Sequence, residues 1–402
     1  MADAYIFDHV RTPRGVGDAG GALHEISSVR LAAHILKGLK ERSNLTTALV
    51  DDIILGCAEA VKEAGSNIAK SAAFLAEYDT SVSGVQINRF CASGLEAVNM
   101  AAAYVMSNQQ KLIVAGGVES ISRVGTMSSG GAWSVDPCIA LRAYYMPLGI
   151  SADLIATKYG FSRNDVDAYA RESRRRAATA WSERRFKKSV LPVTDINGFT
   201  LLEQDEHVLS ETGSEELSTV PPAFKREGKE QGYDGVAIQA HPEIEYINHV
   251  HHERNSASFS DGAAAVLIGS RMAGRATGLS PRARIRSFTS TGSDPALMLA
   301  GSIDATEKLL QNSRMQLSDI DLFEVNEIFA AVPLRYQQAF EIDPERVNVN
   351  GGAIAMGHPM GATGAMLIGA ALDELERRDL NTALVTLGAG AGMATATVIE
   401  RV

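Results

Sequence analysis

The sequence has 402 residues, 45% of them hydrophobic and 21% charged, which is enough length and apolar side chain for two or three domains around a sizeable core. A formal net charge of −10 argues against sequence-independent nucleic-acid binding, which needs a basic surface, while leaving room for a local basic patch that holds an anionic ligand. Apolar runs break well short of the roughly 18 residues a membrane span needs, the start MADAYIFDHVRTPRG lacks a signal peptide's apolar stretch, and Cys57, Cys91 and Cys138 are too few and too scattered for a disulfide framework or a zinc site, so a cytoplasmic, enzyme-like protein is expected.

In chain order, VDDIILGCA reads as a strand, VQIN as a second, CASGLEAVNMAAAYVMS as an Ala-rich helix and KLIVAGGVES as a third strand closing in a Gly-rich turn. From about Ser122 to Ser256 the texture changes to long charged runs with few strand patterns. There the pattern predicts a helix over SRNDVDAYARESRRRAATAWSERRF, followed by the acidic, turn-rich LLEQDEHVLSETGSEELS. Strand and helix signals then return: FEVNEIFAA, VNVN, the small-residue helix HPMGATGAMLIGAALDELERR, and strands TALVTLGAGAGM and TATVIERV. Both ends thus share one order: a strand ending in Asn, a turn opening a small-residue helix, and a strand closing in glycines. A layered α/β architecture with internal duplication is expected. Its segments are 1–121 (first half), 122–256 (an inserted, more solvated domain), 257–280 (return of the first half) and 281–402 (second half).

Three residues carry candidate chemistry. Cys91, in NRFCASGLEAV, follows a strand and opens a helix, where free N–H groups and the macrodipole favour a thiolate; a lone Cys is otherwise a packing residue, the reading given to Cys57 and Cys138. His358, in AMGHPMGATGA, stands among Gly and Ala, so backbone walls surround its imidazole; a structural histidine is the alternative. Asn326, in FEVNEIFAA, taken alone reads as a helix cap. The basic runs at Arg174 to Arg176 and Glu183 to Lys188 read as solvated helix surface rather than phosphate contacts. The three histidines of INHVHHERNSAS lack a carboxylate or Cys at ligand spacing and are not expected to hold a metal.

Taken together, NRFCASGLEAV, AGGVESISR, NEIFAA, NVNGGAIAMGHPMGATGA and the last strand with its glycine turn resemble the thiolases, acyltransferases of the bacterial fatty-acid oxidation type, over essentially the whole chain. The resemblance implies two similar halves stacked as five α-β-α-β-α layers under an inserted loop domain. It implies an acetyl-CoA C-acyltransferase that cleaves or forms 3-ketoacyl-CoA in β-oxidation, with Cys91 as acyl-carrying nucleophile and His358 as its base. Asn326 would hold a water beside the enolate oxygen, and the N–H groups of Cys91 and Gly390 would form an oxyanion hole. Phe224, Ala257, Ile328 and Phe329 fall in regions that bind the pantetheine of CoA. Coenzyme A would be substrate, with no permanently bound cofactor or metal. A homodimer or homotetramer is implied, and a partner β-oxidation subunit is a further association the resemblance allows. Four positions depart from the family: Gly388 stands where the last strand carries a second, acid/base cysteine, Pro221 where a basic residue precedes PAF, Ala257 where a Ser of the pantetheine-binding stretch is expected, and Ile328 where a small residue follows Asn-Glu. A thioesterase or non-Claisen acyltransferase using Cys91, or a non-catalytic CoA-binding subunit, are the alternative readings.

Overall fold

The computed structural model describes residues 2–210 and 217–402. The first half runs β1 (Ala4–Arg11), β2 (Gly15–Val16), α1 (Ser28–Arg42), β3 (Asp52–Gly56), α2 (Ile68–Leu75), β4 (Ser83–Ile87), α3 (Ser93–Met106) and β5 (Leu112–Glu119). A mainly helical stretch follows, with α4 (Leu148–Tyr159), α5 (Arg163–Ser182), the small hairpin β6 (Val193–Thr194) and β7 (Thr200–Leu202), and α6 (Tyr233–Ala240). The chain then returns through β8 (Ser260–Gly269) and builds β9 (Ala283–Gly292), α7 (Ser302–Ser313), β10 (Leu322–Val325), α8 (Ala331–Phe340), α9 (Met360–Arg378), β11 (Thr382–Ala389) and β12 (Met393–Arg401).

The strands lie in the order β10-β11-β12-β9-β1-β8-β5-β3-β4. β1 and β9, joined antiparallel over Ala4 to Ile6, link two half-sheets of matching topology. In the first, β4 and β5 flank β3 in parallel, and β8 and β1 continue antiparallel. In the second, β10 pairs in parallel with β11 and bridges in parallel to Val347, and β12 and β9 continue antiparallel. The duplication expected from sequence is therefore a repeated topology. VNVN differs from its counterpart VQIN, which is the full strand β4, by contributing only that one bridge.

Helices α3 and α9 pack against each other between the two half-sheets, while α1 and α7 cover the outer faces. The inner helices can cross closely because their sequences are short of bulk: a Cβ on Gly94 of α3 would lie 2.6 Å from the carbonyl oxygen of Gly361 in α9. Alanines 97, 101 and 102 supply helix propensity without volume and are fully buried. β5 and β8 are buried along their whole length, as strands covered on both faces must be, which explains their nearly continuous apolar or small-residue runs. In α5, Ser162 caps the helix with a reciprocal capping box to Asp165, which is why the long charged helix starts where it does.

Several charged residues are buried, among them Arg176 of a basic run expected on solvated helix surface. Arg11 of β1 makes a bidentate pair with Asp205 at 2.7 and 3.0 Å, and Asp205 also accepts from the Arg14 backbone and Trp181 Nε1. Arg176 donates to the carbonyls of Pro344 and Val347 and pairs with Glu172 and Glu345, tying α5 to the second half rather than facing CoA phosphates. The Arg176 guanidinium thus crosses to the Pro344–Val347 turn of the other half, a pairing that local sequence does not display. Part of the acidic stretch, residues 211–216, lies outside the described residues.

Candidate active site

Four segments converge at one end of the inner helices. Cys91 lies two residues before α3, and His358 lies two residues before α9. Asn326 follows β10, its backbone N–H bonded to Thr386 of β11, the strand that leads to Gly388 and Gly390. Ser256 to Ser260 threads between the others: Ala257 N–H donates to Ile328 at 2.8 Å, and His358 N–H donates to Ser258 at 2.8 Å. A cavity of about 890 Å³ opens onto this junction, a volume suited to a drug-sized ligand. Its wall includes Cys91, Gly390, Phe224, Ala257, Ile328 and Phe329, so these sequence-selected positions share one space. Asn326 and His358 lie deeper, 3% and 0% exposed.

Thr363 Oγ1 is 2.8 Å from His358 Nδ1 and 3.2 Å from the Pro359 carbonyl; in the arrangement where it donates to the carbonyl, it accepts the Nδ1 proton. Nε2, unprotonated in that arrangement, is buried and without a partner among the described residues. Burial, then the nearby Arg14 charge, pushes the His358 pKa down to about 3, so the ring stays neutral and able to accept a proton. Both amide atoms of Asn326 are likewise buried and unpartnered. The helix-cap reading of Asn326 therefore fails: α8 begins at Ala331, and the side chain caps nothing.

Cys91 corrects a second expectation. Burial, reinforced by Glu119, pushes its thiol up to about 12, against a smaller lowering by its own backbone N–H. Desolvation thus outweighs the helix terminus, and the resting thiol needs a base. Cys57 packs in the core as expected, whereas Cys138 is exposed because its short helix, Pro137–Arg142, lies on the surface.

The end of β11 and the glycine turn after it are bare because two neighbours fill the space. A Cβ on Gly388 would lie 2.7 Å from the Leu299 carbonyl carbon and 2.8 Å from its Cα. A Cβ on Gly390 would lie 3.2 Å from the ring edge of Trp133, which packs between Phe90 and Tyr145 with centroids 5.6 and 5.1 Å away.

Sequence reasoning missed the supports. Glu119 accepts from the N–H groups of Ala58, Glu59 and Gly361 and so fastens the loop after β3 to the start of α9. Burial raises its pKa to about 7 against those three donors. Glu59 accepts from Met127 and Ser129, pinning the loop beside Trp133. Thr363 follows His358 by five residues, an unremarked polar position in a small-residue helix, and Trp133 was visible only as one of two tryptophans, set after two glycines. The three clustered histidines bind carboxylates: His249 to Asp153 and Asp234, His251 to Asp153, and His252 to Asp167.

The family profile for the thiolase N-terminal domain matches residues 4–231, and that for the thiolase C-terminal domain matches 279–401. The chain belongs to the thiolase family. Proteins named 3-ketoacyl-CoA thiolase from Bacillus subtilis, Cronobacter sakazakii and Salmonella typhimurium are each 36% identical to it, across the full length of both sequences. Membership accounts for the repeated half-sheets and for the inner helices as shared supports of one site. No helix among the described residues is long and apolar enough to cross a membrane.

Proposed function

We propose that this thiolase is an acyl-CoA C-acyltransferase that cleaves or forms 3-ketoacyl-CoA through an acyl-Cys91 intermediate. The observation that carries the reading is the buried, unpartnered Nε2 of His358, with the equally unpartnered Asn326 amide on a neighbouring segment of the junction and Cys91 on the cavity wall. His358 takes the Cys91 proton, the thiolate attacks the thioester or keto carbonyl, and the N–H groups of Cys91 and Gly390 receive the resulting oxyanion. Asn326 and a water it holds face the enolate oxygen of the departing or incoming acetyl-CoA. Coenzyme A is the substrate, its pantetheine lying along Phe224, Ala257, Ile328 and Phe329. Exposed Lys225, Arg226 and Lys229, immediately after Phe224, suit its phosphates.

The protein acts in the cytoplasm, built from segments 1–121 with 257–280, the insert 122–256, and 281–402. It works as a homo-oligomer: β4 ends the strand path, pairs only with β3 among the described residues, and neighbours the exposed Phe74 and Leu75 of α2, an edge that a second copy can cover. The deciding experiment is intact-protein mass spectrometry after mixing with acetoacetyl-CoA, with Cys91→Ala as control, followed by a chase with free CoA. An acetyl adduct on Cys91 that the chase returns as acetyl-CoA is the expected result; no adduct refutes the reading.

A further inference from the structure

We propose that Glu59 determines the acyl specificity of this site: its carboxylate latches a flap, residues 125–136, that seats Trp133 at the acyl end of the cavity and restricts Cys91 to short-chain acyl groups. The proposal rests on the acyl-Cys91 reading and adds to it the class of acyl group carried.

The flap forms part of the cavity wall and has a single polar attachment to the rest of the molecule. Met127 N–H and Ser129 N–H donate to the two oxygens of Glu59 at 2.6 and 2.8 Å. Every other hydrogen bond made by residues 126–135 among the described residues stays within 124–136. N–H bonds to a carboxylate are about twice as strong as neutral ones, so this one side chain holds the flap down. Its own end is fixed. The backbone N–H groups of Ala58 and Glu59 donate to Glu119 at 2.9 and 3.0 Å, and Glu119 also holds the Gly361 N–H of α9 at 2.9 Å. Glu59 therefore belongs to the same frame as the inner helices, and the flap is the end that can move. It leaves that frame at Gly125 and turns at Gly131, with φ of +83° and +120°, values open to glycine. No atom among the described residues lies within 4 Å of a Cβ on Gly130 or Gly131, and Met127 and Val135 are exposed, so space lies open around the turn.

What the latch holds in place is Trp133. The ring packs between Tyr145 and Phe90, the residue before Cys91, and two of its edge carbons lie 3.2 Å from where a Cβ on Gly390 would stand. In the proposed reaction the Gly390 N–H faces the acyl carbon, and pantetheine runs along Phe224, Ala257, Ile328 and Phe329. A chain leaving the acyl carbon away from pantetheine meets the indole within a few bonds. Trp133 Nε1 is buried without a partner, so the ring forgoes a hydrogen bond it would make to water, and its seat depends on packing and on the latch. A short acyl group fits beside the seated ring. A long one has to lift the ring and break both bonds to Glu59.

The test compares the rates at which acetyl-CoA and decanoyl-CoA acylate Cys91 of the full chain, read by intact-protein mass spectrometry. The acetylated share of each variant reports its folded fraction, and rates are taken on that share. Expected is a parent that takes acetyl at least about tenfold faster than decanoyl. Glu59→Gln, which turns an amide NH2 toward one of the two flap N–H groups, should lower that ratio about tenfold by speeding decanoylation. Trp133→Ala should do the same, and the double variant should go no further than the larger single effect, because latch and ring act as one unit. The proposal is overturned if the parent accepts decanoyl as readily as acetyl, if Glu59→Gln slows both thioesters alike, as a merely structural role would, or leaves the ratio unchanged, or if the two single effects multiply. Absence of any adduct on Cys91 with either thioester overturns the parent reading instead, and this one with it.

Discussion

Replacing Gly388 with alanine should destabilise the protein by about 1–3 kcal/mol, the usual cost of forcing one extra carbon into a close-packed interior. The added Cβ meets the Leu299 carbonyl carbon at 2.7 Å and its Cα at 2.8 Å. Ordinary carbon–carbon contacts lie at about 3.5–4.0 Å, so one backbone must retreat by roughly 0.7–1 Å. Neither side yields easily. β11 is held between β10 and β12, and the turn carrying Leu299, Met298–Gly301, is fully buried and runs straight into α7. Guanidinium unfolding of Gly388→Ala beside the parent gives the number, and Gly235→Ala in α6 is the control. No atom lies within 4 Å of a Cβ at Gly235, so that change should be neutral or stabilise by about 0.5–1 kcal/mol. Gly388→Ala within about 0.5 kcal/mol of the parent, inside the spread of inconsequential surface changes, would refute the argument. The same contact predicts that Gly388→Cys alone will not install a working thiol until the Leu299 turn moves.

The neutral, buried His358 predicts a sign for acid stability. Its folded pKa of about 3 lies below the ordinary 6.5, so the unfolded chain alone takes the proton between those values. Stability is untouched above pH 6.5 and falls below it by up to about 1.4 kcal/mol per unit, a slope that His358→Asn should remove in pH-dependent denaturation. His249 runs the other way: burial lowers its pKa, but Asp153 and Asp234 outweigh that and raise it above 6.5. Its contribution is full below pH 6.5 and is lost as pH rises through the raised value, so His249→Gln should cost more stability at pH 6 than at pH 9. Asp205→Ala leaves Arg11 buried and unpaired and should cost about 3–5 kcal/mol by chemical denaturation. Trp133→Ala removes the ring edge against Gly390 and should raise kcat/KM for bulky over short 3-ketoacyl-CoAs by about tenfold, measured as a substrate series.

The periodicities that survived were those set by burial on two faces. β5, α3 and α9 are legible because small and apolar residues have nowhere else to go. The candidate site stood out where a residue type differs from its neighbours, as Cys91 and His358 do among Gly and Ala. What escaped were interactions between distant segments. Glu119 meets Gly361 across 242 positions and Arg11 meets Asp205 across 194, and nothing local distinguishes such residues from solvated charges. The direction of the Cys91 shift was misjudged for the same reason: the helix terminus is local and visible, whereas the burial that outweighs it is made by the whole assembly.

The repeated topology bears on how such a site could arise. Cys91 and His358 occupy matching stations, each two residues ahead of the inner helix of its own half. Two identical halves would present two thiols or two imidazoles to each other, neither of which can activate itself. Placing both halves in one chain lets each station hold a different residue, so a thiol at one and an imidazole at the other is an asymmetry that two identical subunits could not have. A fragment containing either half by itself would keep one member of the pair, and its complementary fragment would have to dock before any acyl group could move.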